Sequence, residues 1–167
     1  MIEVIADKIR GGNRVKRYHT VDILVPETVG HHSANVAMLC ALVVGKPSAN
    51  LLLAALTHDS VEQFTGDIPA TAKWFSEALN SDLKDMEKAH EFYKVELTPE
   101  EEVVLKQCDM LDLCFKCLEE ARMGNREAVA ILNRGMVWLQ ANDPLRNVAI
   151  LMEDIKYEFS KLVPSRG

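Results

Sequence analysis

"TPEEEVVLKQCDMLDLCFKCLEEARM", from Thr98 to Met123, reads as one long helix with a single buried side. Thr98 is a capping residue, Pro99 suits the first helical position, where no backbone donor is missed, and Glu101 closes a capping box. The apolar positions Val104, Cys108, Leu111, Phe115 and Leu118 recur at alternating steps of four and three, the stripe of a helix that faces a core. Glu100 to Glu102 put negative charge in the first turn, where it complements the helix dipole. Two acids interrupt this face: Asp109 beside Cys108, and Asp112 three residues on.

Working outward, apolar residues recur every three or four positions almost throughout, and period-two alternation is poor, which predicts an all-α protein. A short helix is expected over Ile2 to Arg10, stopped by Gly11-Gly12, then irregular chain from Asn13 to Gly30. A helix from about His31 carries Val36, Leu39, Cys40 and Val43 on one face and ends at "GKPS". Ser48 caps the next, which runs through "ANLLLAALTHDSVEQF" into the turn "TGDIP". "ATAKWFSEALN" and a charged stretch from about Ser81 to Tyr93 read as helical. Beyond Gly124-Asn125 one helix reaches Trp138, and Asp143-Pro144 opens a last one that ends before Pro164. With 167 residues, 48% of them hydrophobic, and no repeat or linker, residues 1–167 are expected to form a single domain around one core.

The formal charge of -6 and an aromatic content of 6% argue against a nucleic-acid partner, which selects for a basic face. An anionic substrate would need a local cluster of cations or a metal ion. No apolar stretch approaches the roughly 18 residues of a membrane span, and "MIEVIADKIRGG" is too charged for a secretory signal. Cys40, Cys108, Cys114 and Cys117 fall within expected helices without a disulfide framework, which fits a cytoplasmic protein. The CxxC of Cys114 and Cys117 lies inside a core-facing helix and is read as packing.

The chemistry gathers after the apolar run "LLLAAL". "THDSVEQFTGD", Thr57 to Asp67, sets a histidine and three carboxylates where burial has just begun, and buried charge is normally paired, protonated or bound to metal. On a continuous helix Glu62 would neighbour both His58 and Asp59. His32 opens another apolar helix, and Asp109 interrupts the long one. Two His and two Asp from three helices suit Mn, Fe, Co, Ni or Zn with positions left open, whereas structural zinc prefers a closed cysteine-rich shell. Asp112 is a rival to Asp109, and His19 and His90 read as ordinary polar residues.

"HHS" at His31 to Ser33, "HD" at His58-Asp59 and the distant "KQCD" ending at Asp109 resemble the signature of the HD-domain phosphohydrolases, and "HDSVEQFTGDIP" resembles the extended motif of the YfbR-like 5′-deoxynucleotidases. The resemblance covers about Arg17 to Lys116 and implies an all-α HD-domain bundle with its metal site between helices. It implies His32, His58, Asp59 and Asp109 as metal ligands, preferring Asp109 over Asp112, with Glu62 acting on the attacking water or leaving oxygen. Asp67 would support Glu62 or hold the sugar 3′-hydroxyl. His31 stands where relatives usually carry Glu, so it is either a supporting group or a rival of His32.

A further likeness is to short phage enzymes that hydrolyse dATP to deoxyadenosine and triphosphate, through Arg17-Tyr18, Lys73 and Lys106. By that likeness Arg17, Lys73 and Lys106 contact phosphate; the resemblance to the deoxynucleotidases implies that Tyr18 excludes a ribose 2′-hydroxyl, and Pro69 with Thr20 or Ile23 is expected to line the base. From the residues alone, Arg17 belongs to the basic run "RVKR" and the two lysines are ordinary helix-surface residues. The expected activity is a metal-dependent phosphohydrolase of 2′-deoxynucleotides, with dATP triphosphohydrolysis ranked first and 5′-deoxynucleotidase action on monophosphates second. A catalytically silent nucleotide sensor and an alarmone or cyclic-dinucleotide hydrolase are the remaining alternatives. The cofactor implied is Zn, Co or Mn, with Mg accompanying a triphosphate. The likeness also implies a homo-oligomer, dimer or hexamer, and a phage protein working in a host cytoplasm.

Overall fold

The computed structural model of the protein describes residues 2–90 and 95–162. Among these, the regular elements are helices in the order α1 (Ile2–Asn13), α2 (Val29–Val44), α3 (Ala49–Thr57), α4 (Glu62–Thr65), α5 (Ala70–Phe75), α6 (Glu77–His90), α7 (Pro99–Arg122), α8 (Arg126–Ala141) and α9 (Arg146–Ser160). Among the described residues, extended pairing is limited to one isolated bridge between Lys16 and Thr28. The fold is all-α, as the periodicity predicts.

α7 is the central element and packs against α2, α3, α8 and α9. Its start is the expected one: Thr98 accepts the Glu101 N–H while the Glu101 carboxylate accepts the Thr98 N–H. Val104, Cys108, Leu111 and Leu118 of the stripe are buried, and Phe115 packs partly buried against them. Val36, Ala37, Cys40 and Val43 of α2 enter the same core, as do Leu132 and Leu139 of α8 and Val148, Met152 and Ile155 of α9. All four cysteines are free thiols in this interior. Burial pushes the Cys114 and Cys117 thiols up to about 12, so neither is a thiolate near neutral pH.

Several boundaries depart from the sequence expectation. α1 runs through Gly11-Gly12 to Asn13 instead of stopping at Arg10. Here the glycines serve close approach: a Cβ on Gly12 would sit 3.2 Å from the Ser60 carbonyl oxygen, and one on Gly11 3.2 Å from Gln63 Oε1. α2 begins at Val29, two residues before His31, because Thr28 caps it by accepting from the His31 N–H. The helix expected over "ANLLLAALTHDSVEQF" is broken after Thr57. Residues 58–61 form tight turns, Ser60 N–H to Thr57 O and Glu62 N–H to Asp59 O, before the single turn of α4.

Gly66, at φ 71, ends α4, a backbone conformation that favours glycine. The single helix expected over "ATAKWFSEALN" is instead two pieces, α5 and α6, divided at the extended residue Ser76. The expected continuation of α6 to Tyr93 and the side chain of His90 lie outside the described residues. No described helix is long and apolar enough to cross a membrane.

Candidate metal centre and active site

The break after α3 shapes the centre of the site. On a regular helix, neighbouring side chains diverge by about 100°, but the tight turn brings His58 and Asp59 to one point. The His58 Nδ1–H is held by the Ala55 carbonyl at 2.9 Å, which turns Nε2 inward. His32, fully buried on α2, meets it with 3.3 Å between the two Nε2 atoms. Asp59 Oδ2 lies 3.6 Å from His32 Nε2 and 3.4 Å from His58 Nε2. Asp109 Oδ1, from α7, lies 3.0 and 4.0 Å from the same nitrogens. Donor atoms of His32, His58 and Asp109 therefore lie within 4.8 Å of one another, with Asp59 Oδ2 adjoining both histidines, so that α2, α7 and the segment after α3 meet at one centre.

The other face of His32 distinguishes Asp109 from Asp112. Asp112 Oδ2 lies 2.7 Å from His32 Nδ1, on the opposite side of the ring from the cluster. It orients the ring and leaves Nε2 for the cluster, the arrangement usual behind a metal-ligating histidine. Burial lowers the His32 pKa, but hydrogen bonds to Asp109 and Asp112 outweigh it and raise it to about 9. Asp109 responds in the opposite sense. Burial raises its pKa, while the His32 hydrogen bond and the nearby His58 bring it down to about 2. A field that retains a proton on His32 also attracts a divalent cation, and the two compete for the same lone pair. His31, by contrast, is exposed and contributes its backbone N–H to the Thr28 cap.

Cations and acids surround this cluster. Arg17, from the segment between α1 and α2, places a terminal guanidinium nitrogen 3.0 Å from Asp59 Oδ2, and its Nε lies 3.4 Å from Glu27 Oε1. Burial works against its charge, but Asp59 and Asp109 hold its pKa above the ordinary arginine range. Tyr18 stacks beneath it, with 5.4 Å from the guanidinium carbon to the ring centroid. Its backbone is left-handed, φ 60, a strained conformation for a tyrosine. The Tyr18 N–H donates to Asp67 Oδ2 at 2.9 Å, which ties that conformation to the turn after α4.

Glu62 is buried, and its Oε2 has no hydrogen-bond partner among the described residues. Burial, then the charges of Asp59 and Asp67, push its pKa up to about 8. Lys73, half-buried on α5, is close enough to oppose that shift. Lys106 is exposed one turn before Asp109 on α7. Neither lysine forms an ion pair with another described residue. Pro69 is half-buried at the start of α5, Thr20 is exposed, and Ile23 lines a small cavity with Tyr18, away from the four-donor cluster.

The structure adds residues that sequence reasoning did not single out. Glu27 is buried, within 4.8 Å of His32 and Asp112 as measured between ligand-capable atoms, and burial next to Asp112 raises its pKa. Nothing in its sequence context, "VPETVG", marks it. Asp112 was visible as an acid between Leu111 and Leu113, but its role behind His32 depends on which ring nitrogen it meets. Glu120, Lys116 and Asn125 form a further buried polar group under residues 22–25.

An all-helical bundle with two histidines and two aspartates meeting between helices defines the HD-domain phosphohydrolase class. The family model for 5′-deoxynucleotidase YfbR-like proteins matches residues 8–102, more than half of the chain. The chain belongs to the YfbR-like family and is a metal-dependent phosphohydrolase. It is 29% identical over 153 residues to 5′-deoxynucleotidase VP0926 of Vibrio parahaemolyticus, an alignment covering 75% of this chain and 79% of that protein. The fold matches that of PH0347 from Pyrococcus horikoshii, with TM-score 0.69, 23% identity and coverage of 98% and 100% of the two chains. It also matches that of the cyanophage S-2L HD phosphohydrolase DatZ, solved with dA and one catalytic zinc ion, with TM-score 0.61, 17% identity and coverage of 92% and 93%.

Proposed function

We propose that the protein removes the 5′-phosphate from 2′-deoxynucleoside monophosphates, with a divalent transition metal held by His32, His58, Asp59 and Asp109. The observation that carries this is the convergence of those four donors beside Arg17 and the unpartnered carboxyl of Glu62. An ion held there supplies Lewis acidity to the phosphate oxygens. Arg17 binds the phosphate as a buried cation whose orientation is already fixed by Asp59 and Glu27. Glu62, a buried carboxyl whose Oε2 has no hydrogen-bond partner among the described residues, takes the proton of the attacking water. Asp67 holds the Tyr18 backbone and adds to the charge that keeps Glu62 basic. Tyr18, next to Arg17 along the chain, is the residue this reading assigns to selection of deoxyribose over ribose.

The order of substrates differs from the one read in the sequence. Arg17 is the one phosphate-binding candidate built into the buried site, and the Vibrio relative is named for 5′-deoxynucleotidase activity. A dATP triphosphohydrolase is the second possibility. It is favoured by Lys73 and Lys106, both unpaired among the described residues, because two further cations suit a triphosphate chain. Chromatography of products from each dNMP, dNTP, NMP and ATP, with Zn, Co or Mn plus Mg, separates the two. Phosphate from dNMPs with ribonucleotides spared supports the first reading, and deoxyadenosine with intact triphosphate supports the second. Metal-loaded protein inert toward the whole panel overturns both.

A further inference from the structure

Residues 14–28 leave the helical core and return to it as a short hairpin-like excursion. Its stem is held by backbone bonds, Arg17 N–H to Glu27 O at 3.0 Å and Val29 N–H to Val15 O at 2.9 Å. At its far end Leu24 is 57% and Val25 39% exposed, while Val21 and Ile23 are half-buried beside Cys117, Ala128 and Ile131. A set of polar bonds also holds that end. The N–H groups of Leu24 and Val25 donate to the two oxygens of Glu120 at 2.7 and 2.9 Å. Lys116 Nζ donates to the Val25 carbonyl at 2.9 Å and lies 3.1 Å from Glu120 Oε1. Asn125 Nδ2 donates to the Asp22 carbonyl at 2.8 Å and to Glu120 Oε2 at 2.9 Å.

Glu120 is only 1% exposed, and a buried carboxylate is costly unless donors surround it. Each of its oxygens therefore takes a backbone N–H and one donor from Lys116 or Asn125. Glu120 and Asp109 are eleven residues apart on α7, about three turns, and so share one face of that helix. The helix that carries the proposed ligand Asp109 thus also grips the segment that carries Arg17 and Tyr18. Tyr18, Lys116, Glu120 and Asn125 also line one cavity of about 10 Å³, which places this grip directly behind the tyrosine.

We propose that Glu120, braced by Lys116 and Asn125, is a positioning residue that sets where Arg17 and Tyr18 stand against the substrate, and so governs affinity and sugar selectivity instead of metal binding or the chemical step. The proposal rests on the deoxynucleotide function given above. Glu120→Gln keeps the size of the side chain but replaces one acceptor oxygen with an amide donor where only donors converge. Asn125→Ser keeps an oxygen for the α8 cap, whose Glu127 and Ala128 N–H groups Asn125 now accepts, and removes the amide donor. The serine variant keeps the test open should Glu120→Gln fail to fold.

The test combines hydrogen exchange with steady-state kinetics on zinc-loaded protein. Loss of charge-assisted bonds should speed exchange across residues 14–28 about tenfold with α2 and α7 unchanged. It should raise KM for the preferred dNMP about tenfold, with kcat within about threefold, and narrow the preference for deoxynucleotide over ribonucleotide. Asn125→Ser should move the same quantities in the same direction by less. Unchanged exchange across 14–28, or KM and sugar preference within about twofold of the parent in folded variants, overturns the proposal. If the parent protein hydrolyses no deoxynucleotide, the functional reading fails by itself, while exchange still decides whether Glu120 holds the segment.

Discussion

At the scale of single side chains, His32 meets a different carboxylate on each ring nitrogen, Asp109 at 3.0 Å from Nε2 and Asp112 at 2.7 Å from Nδ1. Only the first of these nitrogens faces the donor cluster, so the two acids are expected to behave differently on substitution. Asp112→Asn leaves the ligand set intact but weakens the bond that fixes the ring, and should lower zinc affinity about tenfold or more. Competition with a metallochromic chelator measures this, and an affinity equal to the parent's would remove Asp112 from the site. Glu62 presents the complementary case, a buried carboxyl that is not among the four convergent donors. Glu62→Gln should retain stoichiometric metal while kcat falls at least about a hundredfold, the usual scale for a lost general base. Metal analysis alongside single-turnover hydrolysis checks both halves, and near-parental turnover would exclude Glu62 as the proton acceptor. The His, Asp and Glu residues of this centre were legible in the sequence because charged residues stood directly after six apolar ones. Glu27 was not, because its importance comes from lying beside Asp112 and Arg17, residues far from it along the chain.

At the scale of elements, the helices whose ends carry their own capping chemistry were the most legible. Thr98 and Ser48 cap the helices they precede as expected, and Asn125, read only as part of a separator, also proves to be a cap. The misplaced boundaries were those set by tertiary contact. Gly11-Gly12 reads as a stop signal, yet α1 continues because its glycine surface lies against Ser60 and Gln63. The strongly helical run up to Phe64 breaks at His58 because three-residue turns allow adjacent side chains to point at one centre. The anchoring of residues 22–25 by α7 and α8 was hidden for the same reason, since its bonds span more than 90 positions, as with Leu24 to Glu120. That anchor carries a pH signature. Burial raises the Glu120 pKa, but the hydrogen bonds from Asn125, Leu24, Val25 and Lys116 prevail and lower it from an ordinary 4.5 to about 2. A depressed carboxylate pKa contributes stability that is complete above the unfolded value and is lost as pH falls through the folded one. At pH 7, Glu120→Gln should therefore be less stable than the parent by about 2 kcal/mol, the scale of bonds to a charged group. The difference should shrink between about pH 5 and pH 2 as the parent's carboxylate takes up its proton. Urea midpoints across that range test this, and a gap independent of pH would mean that the charge of Glu120 does not hold the segment.

At the scale of the whole molecule, the site is a junction. α2 brings His32, the segment after α3 brings His58 and Asp59, and α7 brings Asp109, while the same α7 packs against α8 and α9 in the core. The all-α class was readable because a period of three to four persists through most of the chain, but which helices would meet at the junction depends on long-range packing that no local pattern states. Apart from an ion, the junction sets Asp59 and Asp109 against two histidines and relies on Arg17 and a raised His32 pKa to balance the carboxylates. A divalent ion bound to all four donors would cross-link three helical segments and stabilise only the folded chain. At a free metal concentration a hundred times the dissociation constant, mass action gives about 2.7 kcal/mol. For a domain of this size that corresponds to a rise in Tm of roughly 5–10 °C. Calorimetry of chelator-treated protein titrated with Zn, Mn or Co should show this rise, ordered by affinity. Asp59→Asn should lose the increment together with activity, because the substitution removes one proposed ligand and the partner of Arg17 at once. A Tm that does not respond to metal in the parent, or responds equally in Asp59→Asn, would show that the ion binds somewhere other than this junction.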